Sequence, residues 1–484
     1  MEKKFTYEYS PVINGSQYTK EELEADYVKA KYVHDYGSPG NPLVEALSPV
    51  RSGKTLVRGY VNKIEKPTAE DKKHRESPER LKDLRIALPM GNDVEKEGSR
   101  AIKSSYRERN LILVPDVSID FFNQDGVEEY NVNAITDAVN KSASVTGFAL
   151  IGNSGCGKSK TIDQFRANQP KVIIHNLNGV RFVQIPILYV VCPDASKNGG
   201  IKELYDCIGV EIDHLLGDYF VHKEEKNMKS AKTANAKAIE MTKLISKYNI
   251  GMILIDEIQD LKYDKRQESS LNALLRVNNN SNVAIAVVGT EETYKELFTE
   301  KDAIAQRIGP IIQADNYVNN PEKMDLIIQD VLYYQWFDPE IQITDELKEA
   351  LIEESGGVLR RLIELYIHMN TYYIDANKKP SIDVSYVRKI SKKYFGVTRN
   401  QSMKKYSIEN KKLSVSTIDT LPNDIKEQKN ILDTIISQIK EKYPNIPTEF
   451  IKDEFYRYIK THPDTSVAFI LMAILEKYWQ STKK

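Results

Sequence analysis

The chain has 484 residues, of which 41% are hydrophobic and 28% are charged, and its 68 Lys and Arg residues almost balance its 69 Asp and Glu residues. This length suits two to four domains, and the composition is that of an ordinary soluble protein. The near-zero net charge neither supports nor excludes binding to nucleic acid, so only local patches of charge bear on that question.

Cysteine usage and hydropathy indicate a compartment. The three cysteines, Cys156, Cys192 and Cys207, have no C-x-x-C spacing, which argues against a disulfide framework or a zinc site and favours a reducing cytoplasm. The N-terminal residues lack an apolar signal segment, and no apolar run approaches the length that spans a bilayer. We therefore expect a cytoplasmic protein with no membrane partner.

The sequence pattern predicts an α/β protein with four segments. Residues 1–110 are polar and rich in turn signals, which favours an N-terminal extension docked on a larger body. Residues 111–320 alternate short apolar runs with amphipathic stretches and predict an α/β core. Residues 321–395 predict a helical lid, and residues 396–484 predict a basic linker followed by a C-terminal helical region.

Four compact, β-branched runs within the core predict buried parallel strands, since a strand covered on both faces is apolar throughout. They are Gly147–Ile151, Ile185–Cys192, Gly251–Ile255 and Val283–Val288.

A glycine-rich loop follows the first of these strands and has the form G-x-x-x-x-G-K-S. It consists of Gly152, Asn153, Ser154, Gly155, Cys156, Gly157, Lys158 and Ser159, with Lys160 next in the chain. In such a loop the backbone N–H groups point at phosphate oxygens, Lys158 reaches the β- and γ-phosphates, and the Ser159 hydroxyl ligates Mg²⁺. A bare glycine turn with a solvated lysine is the alternative. The pattern predicts a site for ATP or GTP with Mg²⁺.

An acidic pair, Asp256 and Glu257, ends the third predicted strand. Ligands of open α/β sheets collect at this edge. Asp256 suits Mg²⁺ coordination, and Glu257 can polarise the water that attacks a γ-phosphate. The alternative is a strand end with a solvated acidic turn.

Three further residues are candidates, each with a plain structural alternative. Thr290, after the fourth strand, could orient the attacking water or simply cap the next helix. Arg307 could reach the γ-phosphate of a neighbouring subunit in a ring, or lie on the surface. Arg360, in the segment Ser355–Arg361, could sense the nucleotide from the lid, or form a salt bridge on its helix.

These parts, in this order, resemble an AAA+ ATPase, and several stretches narrow the resemblance to the TnsC ATPases of Tn-seven-type bacterial transposons. Those stretches are Gly40–Pro49 (N-P-L-V-E-A-L), Gln169–His175 (K-V-I-I-H), Gln184–Pro193, Asp256–Leu261 (D-E-I-Q-x-L) and Val288–Thr290. The D-E-I-Q and G-T motifs are shared with the related TniB and MuB-like ATPases. The resemblance covers about residues 40–370, and the region beyond about 396 matches nothing in the family.

The resemblance implies an AAA+ P-loop NTPase core with a parallel sheet, a helical lid and N- and C-terminal extensions. It also implies an ATP- and Mg²⁺-dependent regulator of transposition that binds double-stranded DNA. Such proteins assemble on target DNA as rings or helical filaments with ATP, link a TnsD- or TniQ-like target selector to transposase subunits, and disassemble on hydrolysis. Arg360 and Arg361 form a pair that the resemblance does not lead us to expect in every member.

Two basic tracts are candidate DNA contacts. One contains Lys223, Lys226, Lys229 and Lys232 and continues to Lys237; the other lies between Lys378 and Lys405. Lysines of this kind can track phosphates without reading bases, although a charge run can also be only a solvated helix face.

Two other classes of protein remain open from the sequence. One is an ATP-dependent protein-assembly switch of the STAND type, which would act without DNA. The other is an AAA+ protein that resembles a helicase loader. Filaments that need both ATP and duplex DNA would separate a transposition regulator from the first of these.

Overall fold

A computed structural model describes residues 7–109, 145–177, 180–193, 200–217, 222–261, 270–292, 308–318 and 320–396, and part of the segment 432–478. The chain divides into two compact units, Met1–Val387 and Arg388–Lys484. Predictions that fall on other residues, Arg307 among them, lie outside the described part of the chain.

A seven-stranded sheet forms the centre of the first unit, with the order β1-β3-β4-β5-β6-β2-β7. Its strands are β1 Val28–Lys29, β2 Ala149–Ile151, β3 Ile173–Leu177, β4 Val180–Val191, β5 Ile250–Asp256, β6 Ala284–Gly289 and β7 Ile311–Gln313. Neighbours pair in parallel except β3 and β4, which are antiparallel. The loops after β2, β5 and β6 therefore leave the same edge of the sheet.

The four predicted strands are confirmed as β2, β4, β5 and β6. Every residue of β5 and β6 is buried, which explains their continuous apolar sequences. The three other strands are two, three and five residues long and carry little pattern. The sheet is accordingly mostly parallel, and the antiparallel β3–β4 pair is a difference from the predicted all-parallel arrangement.

The described residues of both units also form helices, which loops connect. In chain order they are α1 Lys20–Glu24, α2 Pro42–Glu45, α3 Gly53–Tyr60, α4 Met90–Arg107, α5 Lys158–Arg166, α6 Ile201–Leu216, α7 Lys223–Ser230, α8 Ala234–Lys247, α9 Ser270–Ser281, α10 Pro321–Leu332, α11 Asp345–Ser355, α12 Leu359–Asp375, α13 Val384–Phe395 and α14 Thr448–Thr461. None of the helices within the described ranges combines the length and apolar character that a membrane span requires.

The N-terminal segment is built into the first unit. Its strand β1 extends the sheet beside β3. Paired backbone hydrogen bonds between Asn62 and Arg85 close a loop, residues 63–84, which we call the strap loop. The strap loop packs on the helices after residue 320, where Trp336 Nε1 donates to Ser77 Oγ at 2.8 Å. The chain thus passes from the sheet to the lid helices and back before α4 begins.

His175 on β3 is fully buried and joins the N-terminal segment to the sheet. Its Nδ1 lies 2.9 Å from Tyr32 Oη and its Nε2 lies 2.8 Å from Gln184 Oε1. The Gln184 amide donates to the Leu43 carbonyl oxygen at 2.8 Å, so its Oε1 faces His175 as an acceptor. His175 is therefore neutral, with its proton on Nε2. Burial lowers the pKa of His175 to about 4.

We expect the protein to lose stability in mild acid because of His175. The unfolded histidine takes up a proton near its ordinary pKa of about 6.5, whereas the folded one resists until about pH 4, so the stability is complete above pH 6.5 and falls as pH falls between these values. The free energy of unfolding should drop by about 2 kcal/mol between pH 8 and pH 5 from this group. Urea unfolding at both pH values measures it. His175→Gln should reduce the drop, while His214→Gln, at an exposed histidine, should not; an undiminished drop in His175→Gln contradicts the assignment.

The second unit has a small apolar core of its own. Its buried members are Leu432, Ile435, Ile439, Ile446, Ile451, Phe455 and Ile474. Within the predicted C-terminal helical region the structure describes the helix α14, and much of residues 396–484 lies outside the described part of the chain.

Candidate nucleotide site

The glycine loop joins the end of β2 to the start of α5. Gly155 and Gly157 have φ values of +84° and +101°, which a residue with a side chain rarely adopts. A Cβ atom on Gly157 would also lie 2.6 Å from Leu88 Cδ1. The local sequence therefore needs glycine here for two independent reasons, and the loop curls directly into the N-terminus of a helix, where backbone N–H groups favour an anion.

Lys158 is the first residue of α5, and its side chain folds back across the loop. Its Nζ donates to the carbonyl oxygens of Gly152 at 2.8 Å and Asn153 at 2.9 Å. The ammonium group is thus fixed beside the loop and lines the adjoining cavity. The predicted Ser159 and Lys160 line the same cavity, as does Ser154.

Three residues far away in sequence hold the loop in shape. Asp315 accepts from the backbone N–H of Asn153 at 3.1 Å and from its side-chain amide at 2.7 Å. The Tyr317 hydroxyl donates to the Cys156 carbonyl oxygen at 3.2 Å. The Arg360 backbone N–H donates to the Gly155 carbonyl oxygen at 3.1 Å. The loop is therefore held between the turn that follows β7 and the lid helix α12.

Cys156 lies inside the loop, and its thiol is protonated at neutral pH. It is buried, and burial raises the pKa of its thiol to about 11. Because the thiolate is the nucleophilic form, a thiol with this pKa is inert under physiological conditions. Cys156 contributes its backbone to the loop and its side chain to the core.

The acidic pair sits where β5 ends. Asp256 is buried, and its two oxygens accept from the Tyr189 hydroxyl at 3.0 Å and from the Glu257 backbone N–H at 2.8 Å. Glu257 has a left-handed backbone with φ of +54°, half-buries its side chain and lines the cavity. The Gln259 side-chain amide donates to the Glu257 carboxylate. The strand end thus presents Glu257 to the cavity and keeps Asp256 behind it.

A cation and an aromatic ring support Asp256 from behind. The Arg166 guanidinium lies 3.9 Å from the centre of the Tyr189 ring. Burial raises the pKa of the Tyr189 hydroxyl, and the Asp256 charge raises it further, so Tyr189 stays a neutral donor. Sequence reasoning missed both residues, because neither belongs to a motif.

Of the remaining candidates, the structure brings two to the cavity. Thr290, immediately after β6, lines it beside the start of the glycine loop, where the Gly152 N–H donates to the Gly289 carbonyl oxygen at 3.2 Å. Arg360 also lines it, and its Nε donates to the Glu364 carboxylate at 3.0 Å, so the salt bridge that the sequence left open is present. Arg307 lies outside the described residues.

The N-terminal segment forms a wall of the cavity that sequence reasoning did not predict. It consists of Tyr60, Lys82, Leu84, Arg85, Ile86 and Leu88. The only signal was the alternation of Leu84, Ile86 and Leu88, which places apolar side chains on one side of an extended chain. Together with Leu359 and Ile363 of α12 this wall makes one side of the cavity apolar.

The whole cavity measures about 470 Å³. Sites for small ligands range from about 300 to 1,000 Å³ and combine apolar walls with a few convergent polar groups. Here the glycine loop, Lys158, Glu257 and Thr290 supply the polar side. The cavity therefore has the size and the division of surfaces that a nucleotide needs.

The four candidate DNA-binding lysines lie on or beside α7, and all four are exposed. Lys229 pairs with Glu225, and Lys232 Nζ is 3.4 Å from the Lys229 carbonyl oxygen. Lys237, the predicted continuation of this tract, is different. It is buried, and its Nζ donates to Asp206 on α6 and to the Met228 carbonyl oxygen on α7, so it holds α8 against both helices and is no part of an exposed basic surface.

Strand β6 lies between β2, which leads into the glycine loop, and β5, which leads into the acidic pair. The loop and the acidic pair lie at one edge of the sheet. This arrangement defines an AAA+ P-loop NTPase core. Residues 131–313 match the bacterial TniB protein family. The resemblance to TniB-related ATPases is thereby confirmed for this segment, which contains the glycine loop, the acidic pair and Thr290. The search of the curated proteins found no match.

Several solved structures are similar to the chain at low identity. A Walker-type ATPase of Pyrococcus abyssi is 14% identical, with 67% of this chain and 90% of that chain covered and a TM-score of 0.33. RuvB of Thermotoga maritima is 14% identical, with coverages of 79% and 88% and a TM-score of 0.30. The Orc1 protein of Aeropyrum pernix, solved in complex with DNA, is 13% identical, with coverages of 77% and 86% and a TM-score of 0.32.

Proposed function

We propose that the protein is an ATP-dependent, DNA-binding regulator of transposition. It assembles on target DNA with ATP, links a TnsD- or TniQ-like target selector to transposase subunits, and disassembles when ATP is hydrolysed. The observation that carries the proposal is one cavity lined by the glycine loop, Glu257 and Thr290 in a segment that matches the TniB family.

The residues of the cavity suit Mg²⁺–ATP. The positive-φ glycines and the helix N-terminus favour the phosphates, and Lys158 adds a positive charge beside them. Leu84, Ile86 and Leu88 offer an apolar surface for the base. Ser159 would hold Mg²⁺ from the cavity wall, and Asp256, which lies behind Glu257, would hold it directly or through water, since each Asp256 oxygen keeps a lone pair beyond its observed hydrogen bond. Within the described ranges, no group of three or more His, Cys, Asp or Glu side chains could hold a metal ion.

Mg²⁺–ATP, when bound, would supply the phosphoanhydride bond, and its metal ion would neutralise phosphate charge during cleavage. Glu257 accepts a proton from the attacking water, and Thr290 orients that water or the γ-phosphate. Arg360 approaches the nucleotide from the lid of the same subunit. The role of Arg307 at the γ-phosphate of a neighbouring subunit stays a prediction from sequence, since Arg307 lies outside the described residues. Each of these roles is part of the proposal.

The experiment that tests the function is negative-stain microscopy of the protein with duplex DNA and a slowly hydrolysed ATP analogue. A transposition regulator gives rings or filaments only when both are present, and its ATPase is stimulated by DNA. A switch of the STAND type assembles with nucleotide alone. Assemblies that form equally well without DNA would overturn the proposal.

We expect Lys226, Lys229 and Lys232 to bind DNA phosphates. Changing all three to glutamate should weaken ATP-dependent DNA binding by roughly 100-fold and lower the slope of log K against log salt by about 3, because each lysine releases about one counterion. Fluorescence anisotropy with labelled duplex measures both. The control changes three other exposed lysines, Lys20, Lys54 and Lys323, to glutamate. Equal losses in both variants would reduce the effect to net charge and reject the assignment.

A further inference from the structure

A buried polar cluster lies behind the N-terminal wall of the cavity. We call it the Glu95 cluster; its side chains are Arg51, Tyr60, Glu95 and Asn168. Glu95 is on α4 and is 1% exposed. Asn168 follows α5, the helix of the glycine loop, while Arg51 and Tyr60 come from the segment around α3. The cluster therefore joins three parts of the chain that meet at the nucleotide site.

Glu95 is the centre of this cluster. Its Oε1 accepts from the Arg51 backbone N–H and Nε, both at 3.2 Å, and from Asn168 Nδ2 at 3.0 Å. Its Oε2 accepts from Arg51 Nη2 at 2.9 Å and from the Tyr60 hydroxyl at 3.1 Å. A buried carboxylate is tolerated only when it is paired and hydrogen-bonded, and here both requirements are met.

Arg51 makes two further contacts that only a planar guanidinium can combine. Its Nη2 donates to the Gln164 carbonyl oxygen on α5 at 2.7 Å. Its guanidinium also lies 4.9 Å from the centre of the Tyr60 ring. The fork to Glu95, the bond to α5 and the contact with the ring together fix the distance between Tyr60 and the helix of the glycine loop.

Two members of this arrangement reach the cavity. Tyr60 and Gln164 both line it, whereas Arg51, Glu95 and Asn168 do not. The cluster contains none of the residues proposed to contact phosphate, Mg²⁺ or the attacking water. It can therefore change the shape of the site without changing the catalytic groups.

We infer that Arg51 and Glu95 are positioning residues for nucleotide binding. They hold Tyr60 of the N-terminal wall at a set distance from α5, the helix of the glycine loop. The inference rests on the proposed function, since it assigns the cavity to a nucleotide. A looser cluster lets the N-terminal wall move away from the base, which lowers the affinity for the nucleotide. The hydrolytic step, carried by groups on the other side of the cavity, is preserved in the enzyme that does bind.

The test is Arg51→Lys, which keeps the charge beside Glu95 but loses the planar fork. We expect the Kd for a fluorescent ATP analogue and the KM for ATP to rise about tenfold, with kcat within about twofold of wild type. Tyr60→Phe keeps the ring and removes its bond to Glu95, and should raise KM in the same direction by a smaller factor. Thermal unfolding without nucleotide records any loss of stability separately.

The matched control is Arg100→Lys on the same helix as Glu95. Arg100 also donates to a carboxylate and a carbonyl oxygen, those of Glu97 and Gly147, but it does not line the cavity. The Arg100→Lys variant should leave the KM for ATP unchanged. If Arg51→Lys lowers only the unfolding temperature, or raises KM no more than Arg100→Lys, the inference is overturned. If Lys158→Ala binds the analogue as wild type does, the proposed function itself fails, and the two failures are distinguishable.

Discussion

Lys158→Ala should weaken binding of ATP by at least roughly 100-fold and abolish measurable hydrolysis, because it removes the fixed cation of the glycine loop. In the structure this ammonium is held by two loop carbonyl oxygens, at 2.8 and 2.9 Å, so its position is determined by the loop itself. The glycine conformations and the helix N-terminus remain in the variant. They bind an anion more weakly without the charge, since a backbone site carries only partial positive charges.

Isothermal titration with ATP and magnesium measures this loss, and the shift of the unfolding temperature on adding ATP provides a second readout. Lys171→Ala is the control, because Lys171 is an exposed lysine paired with Asp26 at 3.0 Å and has no part in the cavity. It should bind ATP as the wild type does. Unchanged affinity in Lys158→Ala would show that the loop does not hold the phosphates.

The parts of the site that sequence could predict are those whose chemistry is written in adjacent residues. The glycine loop needs its spacing and its lysine within eight positions, and the pair Asp256 and Glu257 directly ends an apolar strand. The strands that precede them, β2 and β5, are continuous buried runs, so their place in a parallel sheet follows from composition. These local patterns were sufficient to place the candidate site at one edge of the sheet.

The remaining parts of the site depend on which distant segments the topology brings together. Asp315 supports Asn153 across 162 positions, and the N-terminal wall, from Tyr60 to Leu88, also lies far from the glycine loop in sequence. The strand β1 has only two residues, too few for any periodicity. Lys237 looks like its neighbours in sequence, and only its contact with Asp206 shows that it is structural. In each case the information lies in a tertiary contact.

Glu257→Gln should reduce kcat for ATP hydrolysis by at least about 100-fold while the affinity for ATP stays within about threefold of wild type. The amide has nearly the shape of the carboxylate but cannot accept the proton of the attacking water. Asp256, the proposed Mg²⁺ ligand, keeps its bonds from Tyr189 and from the residue 257 backbone, because neither involves the Glu257 side chain. The variant should therefore keep nucleotide binding and lose hydrolysis.

The matched control for this variant is Asp260→Asn. Asp260 lies in the short turn Ile258–Asp260, which directly follows Glu257, and its carboxylate is likewise replaced by an amide. Asp260 does not line the cavity. Phosphate release measured with and without duplex DNA should be near wild type in Asp260→Asn and nearly absent in Glu257→Gln. Hydrolysis at the wild-type rate in Glu257→Gln would show that another group accepts the proton.

The same variant also tests what hydrolysis is for. If ATP binding assembles the protein on DNA and hydrolysis releases it, Glu257→Gln should form assemblies with ordinary ATP that persist as long as those of the wild type with a slowly hydrolysed analogue. Dilution into excess unlabelled duplex, followed by anisotropy, measures their lifetime. Because occupancy of the DNA by the wild type depends on the balance of binding and hydrolysis, blocking hydrolysis alone should lengthen that lifetime by about the factor that kcat loses. An unchanged lifetime with hydrolysis blocked would mean that release from DNA does not depend on the chemical step. ATP binding would then promote assembly, but hydrolysis would not set how long the assembly lasts.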